Sequence, residues 1–94
     1  MDPPSYGRGP GGEVWKLENE VYGLICECVK VLSDTPVFFL INSYTTGLAP
    51  AVLTYMLSTE LKKFGGHVDS QEIGLPVSSN GLILPCGASG RWEA

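Results

Sequence analysis

Apolar residues at Val14, Leu17, Val21, Leu24, Cys28 and Val31 recur at steps of three and four, which predicts one apolar stripe on a helix running from about Glu13 to Leu32. Ser33-Asp34-Thr35-Pro36 ends it. Val37-Phe38-Phe39-Leu40-Ile41 follows as an unbroken β-branched and aromatic run, the pattern of a parallel strand covered on both faces and central in its sheet. The chain turns polar at Asn42-Ser43-Tyr44-Thr45-Thr46-Gly47. Pro50 then suits the first turn of a second helix, whose buried stripe is Leu53, Leu57, Leu61 and Phe64. Lys62 and Lys63 favour the negative end of that helix, and Gly65-Gly66 stops it. The tail reads as two strands, His67 to Val77 and Leu82 to Ala88, joined by Ser78-Ser79-Asn80-Gly81, where Asn-Gly is a strong hairpin signal. Pro76 and Pro85 cannot donate ladder hydrogen bonds and are expected at a bulge, a strand end or an edge.

Before the first helix, residues 1 to 12 hold Pro3, Pro4 and Pro10 among four glycines and form a loop with special backbone geometry. The order is loop, helix, strand, helix, antiparallel hairpin: the second half of a three-layer α/β fold. A helix leading into a central parallel strand implies a right-handed crossover from an earlier parallel strand, and only Met1 stands where that strand is expected. Ligands in such sheets sit beyond the carboxyl ends of the strands, so Asp2 and Asn42 are expected to face one crevice.

Length and charge narrow the picture. At 94 residues one small domain is the ceiling. A chain of this size buries only about 60 to 65% of its unfolded surface, so the loss of a neighbouring strand removes a large share of its core. The net charge of −4 argues against a nucleic-acid-binding surface made by this segment alone. Cys26, Cys28 and Cys86 lack the spacing of a disulfide framework, which fits a reducing cytoplasm. Cys26 and Cys28 point about 200° apart around a helix and His67 is the single histidine, so no metal site is expected. Neither a signal peptide nor a membrane-spanning run is visible, and a soluble, cytoplasmic protein is the expectation.

Three segments carry a resemblance. Met1-Asp2-Pro3-Pro4-Ser5-Tyr6-Gly7-Arg8-Gly9, the turn Asn42 to Gly47, and Leu84-Pro85-Cys86-Gly87-Ala88-Ser89-Gly90-Arg91-Trp92 together resemble class I S-adenosylmethionine-dependent methyltransferases. Within that superfamily the likeness is to predicted bacterial enzymes related to the large-subunit ribosomal RNA cytosine and guanine methyltransferases. It covers essentially the whole chain. The resemblance implies the C-terminal part of a Rossmann-like fold, with residues 1 to 12 as a substrate-side loop. It also implies S-adenosylmethionine as cofactor and an RNA substrate for the parent enzyme. The glycine-rich loop and the acidic residue that hold the cofactor in that family have no counterpart in these 94 residues. The chain alone is therefore expected to be inactive.

In relatives with a Pro-Pro-aromatic loop, an acidic or amide side chain and the first proline's carbonyl accept hydrogen bonds from an amino group, while the aromatic ring stacks on the base. Carried over by resemblance, those roles fall on Asp2, Pro3 and Tyr6, with Pro4 stiffening the turn. Ser5 stands between Pro4 and Tyr6, a departure that leaves the methylated atom open. Ser5, Arg8, Asn42 and Ser43 are the further substrate-side candidates. Each has a plainer reading: Asp-Pro-Pro as a rigid corner, residues 7 to 12 as a connector instead of a phosphate cradle, and Asn42 and Ser43 as strand-end caps. In relatives that methylate carbon 5 of cytosine a cysteine attacks the ring, whereas the segment Asn42 to Gly47 has no cysteine; Cys86, on the terminal hairpin, reads as a small packed residue, with a nucleophile as the alternative. Trp15 and Trp92 read as packing residues. The competing reading of the whole chain is a non-catalytic interaction or oligomerisation module, self-associating through the exposed edge of the Val37 to Ile41 strand.

Overall fold

The computed structural model describes residues 1–45 and 47–94; Thr46, inside the polar turn noted above, lies outside the described residues. The order of elements is β1 (Tyr6–Arg8), β2 (Val14–Lys16), α1 (Leu17–Val29), β3 (Phe38–Ser43), α2 (Pro50–Glu60), a 3-10 turn (Lys62–Phe64), β4 (His67–Pro76) and β5 (Ile83–Glu93).

The first helix begins four residues later than its apolar spacing suggested. Val14-Trp15-Lys16 pairs antiparallel with Tyr6-Gly7-Arg8, so the N-terminal loop contains a small hairpin. Its turn is closed by Gly9 and Glu13, with Gly12 at φ 83°, a conformation that glycine adopts without steric cost. The β-branched and aromatic residues at 14 and 15 suit that ribbon better than a helix start. The buried stripe of α1 is Leu17, Val21, Ile25 and Val29, and Val31, beyond the helix end, is 84% exposed. Glu18 and Glu20 in the first turn favour the positive end of the helix.

The sheet has the order β3-β5-β4, antiparallel throughout. Here the expectation for the Val37 to Ile41 run is corrected. Among the described residues β5, not β3, is central, and β3 is covered on one face only. Phe39, Ile41 and Ser43 are buried while Phe38 and Leu40 are exposed. Both helices lie on the same face, giving two layers among the described residues where three were expected, in a body 47 × 39 × 17 Å. The outer edge of β3 carries bonds of its own. The Met1 amine donates to the Leu40 carbonyl, and the Asn42 N–H donates to the Met1 carbonyl at 3.0 Å. One residue bonding to positions j − 1 and j + 1 of a neighbour is the parallel pattern.

The second half follows the expectation closely. Pro50 opens α2, Leu53, Leu57 and Leu61 are buried, and Gly65 and Gly66 take φ of 68° and 78° to end the segment. The hairpin turn carries Gly81 at φ 69°, with the Leu82 N–H donating to the Asn80 side chain at 2.9 Å. Pro76 ends β4, and Pro85 sits at the bulge where the register shifts after Ile73. β5 runs on to Glu93, well past the expected end at Ala88. Its Gly90 allows this, lying directly beneath Leu53 and Leu57 of α2, while Trp92 fills the core and donates from its indole nitrogen to the Gly65 carbonyl at 2.7 Å.

Candidate functional site

The carboxyl end of β3 is where the N-terminal loop, the turn into α2 and the β4–β5 bulge meet. Asn42 is held to Met1 through its backbone, which fixes Asp2 beside the strand end. The Thr45 hydroxyl donates to Ser5 Oγ at 2.9 Å, and the Leu17 N–H donates to the Ser5 carbonyl at 3.0 Å. Ser5 thus ties the loop both to the crevice and to the start of α1. The Asp2 and Asn42 segments, 40 residues apart in sequence, form adjacent walls.

The individual candidates take different places. Asp2 and Pro4 are exposed and Pro3 is half-buried, on the open side of the loop. Tyr6 lies on β1, half exposed, with its hydroxyl accepting from Arg8 Nε at 2.7 Å and the guanidinium 6.0 Å from the ring centre. Arg8 is therefore engaged in orienting Tyr6. Ser43 is buried, its Oγ accepting the Thr45 N–H at 3.3 Å, so it shapes the turn beyond the strand. Asn42 is half-buried at the crevice edge.

A cavity of about 490 Å³ opens past the strand end, its walls formed by Tyr44, Leu48, Pro50, Glu72, Pro85 and Cys86; none of Asp2, Pro3, Pro4, Ser5, Tyr6, Arg8, Asn42 and Ser43 lines it. That volume suits a small organic ligand. Gly87 sits against the Ser43 carbonyl and the Tyr44 ring with no room for a Cβ, which brings the hairpin up to the end of β3. Cys86 is the unpaired residue of the bulge, half-buried, with its thiol 3.5 Å from the Ile73 carbonyl. Its place at the cavity wall differs from a packed core position. The Asp2 carboxylate beside Tyr44, with burial as the smaller cause, raises the phenol's pKa above its ordinary value. A phenol can donate to such a carboxylate, which only accepts.

Tyr44 and Glu72 are wall residues to which the sequence alone assigned no role, while Cys86, read as a packed residue, turns out to stand at the wall with them. Tyr44 was legible as the aromatic directly after the strand. Glu72 and Cys86 come together only through the bulge, and the sequence offers no register for it beyond Pro85.

The remaining ionisable side chains lie elsewhere. Arg91 stands 3.5 Å from Asp69 and 3.6 Å from Glu93, all half exposed near the opposite end of β3. Among the described residues no three His, Cys, Asp or Glu side chains gather as metal ligands, and no helix is long and apolar enough to cross a membrane.

No protein-family model matches the chain, and no curated protein matches it. Among solved structures, the chain is similar to the S-adenosylmethionine-dependent methyltransferase from Agrobacterium tumefaciens, with a TM-score of 0.82 and 26% sequence identity. The likeness covers 98% of this chain and 31% of that one, so the chain spans about a third of the length of the protein it matches.

Proposed function

We propose that this chain is the acceptor side of an S-adenosylmethionine-dependent methyltransferase, the C-terminal part of a Rossmann-like domain acting on a nucleic-acid base, in ribosomal RNA for the parent enzyme. The observation that carries the reading is the crevice itself: an Asp-Pro-Pro loop bonded to the carboxyl end of β3, beside a ligand-sized cavity, in a fold similar to a methyltransferase over 98% of this chain. The parallel bonding of Met1 to β3 supports placing a further parallel strand on that edge.

The residues present do not fit the cofactor by themselves. The positive-φ glycines lie in the β1–β2 turn, before and after α2, and in the β4–β5 turn; none belongs to a glycine-rich cradle between a parallel strand and a helix. What these residues do is bind and orient. Asp2 and the Pro3 carbonyl accept hydrogen bonds from an exocyclic amino group, the Tyr44 phenol steadies the carboxylate, and Tyr6, braced by Arg8, offers an aromatic face. Holding the acceptor's lone pair in line is the part of a displacement that positioning supplies.

Titrating cytidine and guanosine into the isotope-labelled chain, followed by amide shifts, tests the reading. Shifts centred on Asp2, Asn42, Tyr44 and Gly87 that vanish in Asp2→Ala support it. Shifts confined to other surfaces, or none at saturating nucleoside, count against it.

A further inference from the structure

Beyond the last β3 contact, Ser43 with Ala88, β4 and β5 continue alone as a two-stranded ribbon to the turn. Leu75 lies opposite Leu84, so both point to one face; Pro76 lies opposite Ile83 on the other. Leu75, Leu82, Ile83 and Leu84 are each more than half exposed. The arm is thus apolar on both faces and covered on neither. A two-stranded ribbon is marginally stable in water unless something packs on it, and contiguous exposed apolar surface of this kind marks an interaction site.

The charge pattern selects the partner. The chain carries 6 basic and 10 acidic residues, yet none lies between Ile73 and Gly90. Nor does that stretch contain an aromatic residue. Nucleic acid is disfavoured, since binding it takes basic side chains and stacking rings. A bilayer surface is disfavoured too, because interfacial segments carry flanking Lys, Arg and Trp, and Glu72 stands at the base of the arm. Two copies of this chain, each at −4, carry a net mutual repulsion. The uncharged arm is where they can approach without that repulsion. By contrast, the exposed Phe38 and Leu40 share their sheet face with Asp69, Arg91 and Glu93. A two-fold contact sets one patch against its own copy, so Leu75 and Leu84 of one chain would meet the same two leucines of the other.

We propose that the β4–β5 arm is a self-association surface, through which two copies of this chain pack Leu75–Leu84 face to face about a two-fold axis. This does not depend on the methyltransferase reading. The edge of β3 at Leu40 and Asn42, already bonded to Met1, plays no part in it.

Sedimentation velocity across a concentration series tests the proposal on the chain, on Leu84→Glu, on Leu84→Lys and on Phe38→Glu. The expected result is a dimer for the chain and for Phe38→Glu, at least about tenfold weaker self-association for each Leu84 variant, and recovery of the dimer when the two Leu84 variants are mixed. Leu84 is 57% exposed, so its replacement leaves the core untouched. On the unaltered chain, hydrogen exchange at Leu75 and Leu84 should slow as concentration rises. A chain that stays monomeric, a dimer indifferent to both Leu84 changes, or arm amides whose exchange ignores concentration would each overturn the proposal.

Discussion

Gly90 is the position where a single added carbon tests how the helices sit on the sheet. It lies in the interior of β5 with no positive φ, so alanine there fits the backbone and by itself gains about 0.5–1 kcal/mol from a less flexible unfolded chain. Its Cβ, however, would stand 2.9 Å from Leu53 Cβ, 3.1 Å from Leu57 Cδ1 and 3.5 Å from Ile41 Cγ2. Leu53 Cβ is anchored to its backbone, so α2 itself must move. Overpacking of this kind costs about 1–3 kcal/mol, which outweighs the backbone gain. The net loss for Gly90→Ala is then about 1 kcal/mol, a fall in melting temperature of about 4–8 °C for a domain this small. Gly23 supplies the control. It is in α1, where an added Cβ meets nothing within 4 Å, and alanine should gain about 0.8–1 kcal/mol of helix propensity. Thermal unfolding followed by circular dichroism should move the two variants in opposite directions. If Gly90→Ala melts with or above Gly23→Ala, the close seating of α2 on β5, and with it the placing of the Tyr44–Pro50 turn at the cavity, is wrong.

Trp92→Phe removes the indole bond to Gly65 and leaves a gap in a core position that is 1% exposed; a loss of about 2–3 kcal/mol is expected, read as a lower denaturant midpoint with unchanged slope. Asp2→Asn takes away the charge that raises Tyr44, so the Tyr44 transition, identified by its absence in Tyr44→Phe, should move to lower pH in a tyrosinate absorbance titration. Tyr22, whose hydroxyl donates to Glu60, is pushed up to about 12. The folded state therefore favours the phenol, and the stabilisation is full below the unfolded pKa of about 10 and lost as pH rises through the folded value. Glu60→Gln should return the Tyr22 transition toward its ordinary value and flatten the stability profile over that interval.

The elements whose register is set locally were legible in the sequence. Pro50, the Leu53–Leu57–Leu61 stripe and Gly65-Gly66 define α2 without help from the rest of the chain, and Asn80-Gly81 defines the hairpin turn. What escaped was decided by pairing between distant segments. Val14 and Trp15 fit an apolar helical spacing, but the ribbon with Tyr6 to Arg8 claims them. The run from Val37 to Ile41 looks the same whether its second face meets a helix or lies open, so composition could not separate a central strand from this one. At the site, the loop and the strand end were visible as two polar segments. The cavity next to them, walled in part by Glu72 and Cys86, depends on a one-residue bulge that no local pattern announces.

The proposal that these 94 residues form the acceptor side of a methyltransferase, with the cofactor's site outside them, meets its most direct test in calorimetric titration of S-adenosylmethionine. The titration is run on the 94-residue chain and on the chain extended upstream by its own reading frame. The predicted result is no binding to the chain alone and saturable, one-to-one binding to the extended protein. Binding to the 94 residues by themselves, or an extended and folded protein that binds none, would contradict it.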